Sequence, residues 1–160
     1  FGETVYDKGA WVLHMLRFEI GDSSFFKSLH KYYDTYKYSN ASVQDFKNVC
    51  ENVSGINLDK FFDQWVYTGT ENINCTYSIS FPYDGSNNKC TISISQKSRE
   101  YKEFHFPLEI KISFVDGTST TQKIYVDEKE KRINLNFDNK IETIDIDPDS
   151  KLLGSFEEVH

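Results

Sequence analysis

The chain has 160 residues, 38% hydrophobic, 16% aromatic and 27% charged, a balance that suits one domain or two small ones and excludes global disorder. Its formal net charge of −7, from 18 basic and 25 acidic side chains, argues against a nucleic-acid module, which needs Lys and Arg to neutralise phosphates. No run of about 18 apolar residues occurs, so no helical membrane span is expected.

The chain opens on Phe1 without the basic and apolar regions of a secretory signal, and is expected to be a piece of a longer protein. Its compartment is left open, with an extracytoplasmic (periplasmic or secreted) setting favoured. Apolar residues recur at helical spacing up to Gly69 and alternate beyond it. The expected class is therefore α+β. A helical unit of about four helices (residues 1–70) is followed by an antiparallel β-sandwich-like domain (residues 71–160).

A first helix is expected from Val5 to Ile20, capped by Thr4 with Asp7 three residues on and stopped by Gly21. Trp11, Val12, Leu13, Met15, Leu16, Phe18 and Ile20 cover most of its circumference, the pattern of a helix buried in a larger body. A second helix is expected over Ser24–Tyr36, with Asp22 or Ser23 as cap and Phe26, Leu29, Tyr33 and Tyr36 as its stripe. Ser42 and Asp45 begin a third, whose stripe is Phe46, Val49, Cys50 and Val53 and whose end is Gly55. A fourth runs from Asn57 through Leu58, Phe61, Phe62, Trp65 and Val66 to Gly69.

From Cys75 the period becomes two. Tyr77, Ile79 and Phe81, then Cys90, Ile92 and Ile94, form two alternating runs around the turn Pro82-Tyr83-Asp84-Gly85. Residues 104–115 read as a long strand that Pro107 places at an edge or near a bulge, followed by a turn at Asp116-Gly117. Runs at 124–126, 133–137 and 141–146 bring the expected strands to six. Cys75 and Cys90 flank the first hairpin and could be bridged in an oxidising compartment, but small buried hydrophobes are the commoner role of such residues.

The chemistry-bearing patterns are few. None of His14, His30, His105 and His160 stands four residues from another, so no H-E-x-x-H pair exists, and His14 and His30 read as surface or cleft-edge residues. A nucleophile elbow and a phosphate loop are both absent. Asp145, Asp147 and Asp149 alternate like calcium ligands but lack the glycine and closing Glu of an EF-hand, which leaves a solvated strand face as the preferred reading. The N-x-[ST] triplets at Asn40, Asn52 and Asn74 carry meaning only on a glycosylating secretory route.

One cluster is more specific: Tyr6-Asp7-Lys8-Gly9-Ala10 at the start of the first helix. Tyr6 could present its hydroxyl to a neighbouring cavity, or simply pack at a helix start. Gly9 costs about 1 kcal/mol relative to Ala in a helix interior, which suggests that another surface approaches there. The stretch V-Y-D-K-G-A-W-V-L-H-M-L-R-F-E-I-G-D at 5–22 resembles the Y-x-K-G-A-x-V-L-x-M-L segment of M1-family zinc aminopeptidases (gluzincins). The stretches F-F-K-S-L-H-K-Y-Y at 25–33, N-A-S-V-Q-D-F at 40–46 and S-G-I-N-L-D-K-F-F-D-Q-W at 54–65 are similar to the same family in order and spacing. P-L-E-I-K-I-S-F-V-D-G at 107–117 and I-D-P-D at 146–149 resemble, more loosely, the β-sandwich that follows the catalytic domain.

The resemblance implies that Tyr6 stabilises the oxyanion of the tetrahedral intermediate. A phenol keeps its proton at neutral pH, and a positioned donor helps most where negative charge develops. It also implies a peptide substrate and zinc in the intact protein. The zinc motif, its third Glu ligand and the G-x-M-E-N segment are absent, so the ligands are expected in an upstream catalytic-domain half. The fragment alone is expected to bind no metal and to be inactive. Two alternatives remain: a non-catalytic M1-like peptide-binding or scaffold protein, and a sandwich-type interaction module with a helical attachment.

Overall fold

In a computed structural model the chain divides into two units, Phe1–Gly69 and Thr70–His160. The described residues are 3–69, 71–83, 85, 87–99, 101 and 103–159, with backbone only for residues 3–5. The α+β class expected from the change of period is the one observed: helices first, then sheets in which antiparallel pairing dominates. Among the described residues no helix is long and apolar enough to cross a membrane.

Helix α1 spans Glu3–Ile20, so Thr4 lies inside it rather than capping it. Met15, Leu16 and Ile20 are buried, whereas Trp11, Val12 and Phe18 are half-buried and Leu13 is exposed. Gly21 stops the helix as expected, at φ 80, and directly begins α2 (Asp22–Tyr36). Asp22 does not cap α2. Its carboxylate instead accepts from Arg17 Nε at 2.9 Å and Arg17 Nη2 at 2.6 Å, a bidentate pair across the corner.

The buried stripe of α2 differs from the expected one by one position. Phe25 and Ser28 are buried and Leu29, Tyr32 and Tyr36 half-buried, while Phe26 and Tyr33 stay exposed. Adjacent aromatics at 25/26 and 32/33 allow two phases, and packing selects one: the Tyr32 ring meets Phe46 of the next helix edge-on at 5.1 Å.

Helix α3 (Val43–Ser54) begins with the expected capping box. The Ser42 hydroxyl accepts from the Asp45 N–H, and the Asp45 carboxylate accepts from the Ser42 N–H. Gly55 closes it in the left-handed region, at φ 73. Val49 and Cys50 are buried, and so is Lys47, whose ammonium reaches Asp59 and lies 3.7 Å from Glu51.

The fourth helix is shorter than expected. Helix α4 covers Asp59–Phe62, with Asn57 Oδ1 accepting from the Asp59 N–H, and then passes into a π-helical turn over Asp63–Tyr67. The wider i→i+5 spacing turns Gln64 inward to full burial and leaves Val66 exposed, so the expected i+8 position of the stripe is not buried.

The second unit contains, among the described residues, seven strands rather than six. They are β1 (Ile73–Ser80), β2 (Lys89–Gln96), β3 (Phe106–Phe114), β4 (Ser119–Val126), β5 (Glu130–Asn136), β6 (Ile141–Ile146) and β7 (Gly154–Glu158). One sheet has the order β5-β2-β1-β7, the other β4-β3-β6. The unexpected β7 runs parallel to β1, with Ile73 opposite Gly154. Ile92 and Ile94 of β2 and Leu108, Ile110 and Ile112 of β3 are fully buried, and the Phe106 and Phe156 rings meet across the sheets at 6.2 Å. Gln96 acts as a surrogate strand: its amide exchanges two 2.8 Å hydrogen bonds with the backbone of Phe104.

Pro107 lies in the central strand β3, not at a sheet edge. It is tolerated because β6 pairs with β3 only from Ile110 onward, which leaves Pro107 with β4 as its sole ladder partner; the bulge lies farther on, between Ser113 and Phe114. The Asp116-Gly117 turn forms as expected, with Asp116 Oδ1 accepting from the Thr118 N–H at 2.9 Å. Asp84, in the expected first hairpin turn, lies outside the described residues. Cys50, Cys75 and Cys90 are free and buried. Cys75 stands opposite Gln96 and Cys90 opposite Leu135, far apart on the ladder, so they are not bridged.

Candidate functional site

The first turns of α1 project Tyr6 from the helical unit with 73% of its surface exposed. Beside it runs a groove of about 760 Å³, floored by Leu16 of α1, Phe46 of α3, Phe62 of α4 and Trp65 of the π turn, with Leu13 exposed on its wall. That volume lies within the range of small-molecule and cofactor sites. Gly9 contributes to the wall by lacking a side chain: a Cβ there would meet nothing within 4 Å among the described residues. The surface expected to approach Gly9 is therefore not supplied by the described part of this chain.

The groove is apolar apart from two groups near its mouth. One is the Tyr6 phenol. The other is Lys8, whose ammonium donates to the Gly69 carbonyl at 2.6 Å. Sequence reasoning missed Lys8, although it stands inside the singled-out cluster; its partner lies 61 residues away, beyond the reach of any local pattern. Phe46, Phe62 and Trp65 read from periodicity as core; Phe62 and Trp65 are buried, Phe46 is half-buried, and all three line the groove.

The remaining chemistry-bearing residues are not gathered at the groove. His14 is exposed on α1, edge-on to Trp11 at 5.6 Å, and His30 is exposed on α2. His105 belongs to the second unit, with Nε2 3.6 Å from Glu103, and His160 lies outside the described residues. Among the described residues no group of three or more His, Cys, Asp or Glu side chains is placed to hold a metal ion. The described residues therefore do not fit a zinc centre.

Asp147 departs from the solvated strand face expected of the alternating acids. It sits at φ 48, half-buried, and its carboxylate accepts from the N–H groups of Lys151 at 2.8 Å and Leu152 at 3.2 Å. Burial raises its pKa against the opposing effect of these hydrogen bonds. Lys151 in turn donates to Glu109 at 2.5 Å. These bonds hold the turn that leads into β7.

Residues 1–65 match the family described as "Peptidase family M1 domain". The probable aminopeptidase 2 of Sulfurisphaera tokodaii is 39% identical over 66 residues, which cover 41% of this chain and 8% of that protein. Aminopeptidase N of Escherichia coli (strain K12) is 27% identical over 120 residues, 71% of this chain and 13% of that protein. The chain thus corresponds to a small part of each relative. The crystal structure of Legionella pneumophila aminopeptidase A in complex with aspartic acid superposes with a TM-score of 0.83 at 15% identity, covering 100% of this chain and 18% of that one, and so shares its fold.

Proposed function

We propose, from the match of residues 1–65 to the peptidase family M1 domain, that the chain is part of a zinc-dependent aminopeptidase that removes N-terminal residues from peptides. The helical unit would form the C-terminal half of the catalytic domain, and the second unit the β-sandwich domain that adjoins it. The zinc would be held by residues outside this chain, in the preceding half of the catalytic domain.

What this chain supplies is Tyr6. Its hydroxyl donates a hydrogen bond to the carbonyl oxygen of the scissile peptide as that oxygen gains negative charge. The bond strengthens along the reaction, so it lowers the barrier more than it improves substrate binding. The apolar floor beside the phenol favours the same outcome, because a water-poor wall keeps a developing charge poorly screened. The observation that carries this reading is the placement of the phenol: the Y-x-K-G tyrosine of the matched segment stands exposed on the rim of an apolar groove, not packed at a helix start.

The division of labour is testable on the purified 160-residue chain with an aminoacyl chromogenic reporter. The expected result is no turnover with or without added zinc, and no retained zinc after dialysis. Zinc-stimulated release of the chromophore by the chain alone would contradict the placement of the metal ligands outside it.

A further inference from the structure

The first turns of α1 carry Tyr6, and among the described side chains they have little packing of their own. Tyr6, Asp7, Gly9 and Ala10 are exposed, and the first fully buried side chain of α1 among those described is Met15. Within this chain little else fixes these turns against the rest of the helical unit. Lys8 is the exception. It is half-buried, and its ammonium donates to the Gly69 carbonyl at 2.6 Å.

The acceptor is itself fixed. Thr68 donates to the Asp63 carbonyl twice, from its N–H at 2.9 Å and its hydroxyl at 2.7 Å, which closes the π turn just before Gly69. Gly69 then lies so close to that turn that a Cβ would stand 1.6 Å from the Gln64 carbonyl oxygen, a spacing only glycine permits. The same π turn places Trp65 in the groove floor. Lys8 therefore ties the element that carries the phenol to the element that builds the groove.

We propose that Lys8 is a positioning residue for Tyr6: by donating to the Gly69 carbonyl it fixes the first turns of α1 on the end of the π turn and holds the phenol at the rim of the groove. The proposal rests on the assignment of Tyr6 as oxyanion donor. It identifies a residue that touches no reacting atom yet controls the reaction, because a misplacement of about 1 Å can cost about 10²-fold in rate.

The test is a double-mutant cycle in the full-length enzyme. Lys8→Met keeps the length of the side chain and removes the donor, and should lower kcat about 10- to 100-fold with KM changed less than about 2-fold. Lys8→Arg keeps a donor and should recover most of that loss. Combined with Tyr6→Phe, Lys8→Met should cost almost nothing more, because a displaced phenyl ring has no donor left to misplace. Wild-type kcat in Lys8→Met would overturn the proposal while a deficient Tyr6→Phe leaves the oxyanion role standing. A loss that multiplies in full in the double variant, or that tracks a collapsed melting temperature, would make Lys8 a general stabilising residue and also overturn it. Wild-type kcat in Tyr6→Phe would remove the donor role and this proposal together.

Discussion

Lys47 shows how a charged side chain comes to occupy a buried position in α3. Its alkyl stem lies in the apolar face, and its ammonium is paired with Asp59 and, more distantly, Glu51. The hydrogen bond from Lys47 holds Asp59 below the ordinary carboxylate range, and the bond from the Ser42 hydroxyl does the same for Asp45. Lowered folded-state values mean that both carboxylates contribute stability above the unfolded-state pKa, near pH 4, and lose it as pH falls through their folded values. Thermal melts should therefore show the helical unit losing stability below about pH 4, and Asp59→Asn should lower stability at neutral pH while flattening that acid limb. An acid limb unchanged by Asp59→Asn would show that the pair makes no pH-dependent contribution. Both carboxylates are surface groups, so the effect is expected to shrink in high salt.

At the scale of elements, legibility followed the range of the interaction. The capping box at Ser42 and Asp45, the left-handed Gly55 and the Asp116-Gly117 turn are made by residues within a few positions of one another, and each was readable. The stripe of α2 was misphased because its doubled aromatics fit two faces and only α3 decides between them. The π turn leaves no mark in side-chain periodicity, since it is a shift of backbone hydrogen bonding that displaces Val66 from the stripe. Strand β7, Gly-Ser-Phe-Glu-Glu, has no apolar alternation, and it is a strand because β1 offers it a ladder. Its Gly154 is required there, for a Cβ would fall 2.6 Å from the Ile73 side chain.

The centre of the second unit is β3, which takes part in both ladders of its sheet and buries Leu108, Ile110 and Ile112 completely. Ile110→Ala should cost about 2–5 kcal/mol in denaturant unfolding, as large-to-small changes in packed cores do. Val115→Ala, at a site 66% exposed, should stay within about 0.5 kcal/mol. Comparable costs at the two positions would contradict the placement of the core.

For the whole molecule, the change of character near Gly69 marks the passage from helices to strands, and that much is visible in the period of the apolar residues alone. The candidate site was legible only in part. Tyr6 is marked by its motif, but the groove is assembled from α1, α3, α4 and the π turn, and no local pattern announces that their faces converge. That groove also carries a physical consequence. Leu13, Val43 and Val66 are exposed around an apolar floor, and contiguous apolar surface promotes association. Sedimentation velocity on the purified chain should show weight-average mass rising with concentration, with Leu13→Glu reducing the rise. A single monomeric species across the range would show that the groove is not sticky.

The proposed role of the Tyr6 phenol is to act on the reacting carbonyl. The most direct measurement is kcat, KM and zinc content of the full-length enzyme carrying Tyr6→Phe, which removes one oxygen and leaves the ring in place. The expected result is a fall in kcat of about 10²–10³-fold, with KM and bound zinc close to wild type. A variant that turns over peptide at the wild-type rate, or that fails because its zinc is gone, would contradict it.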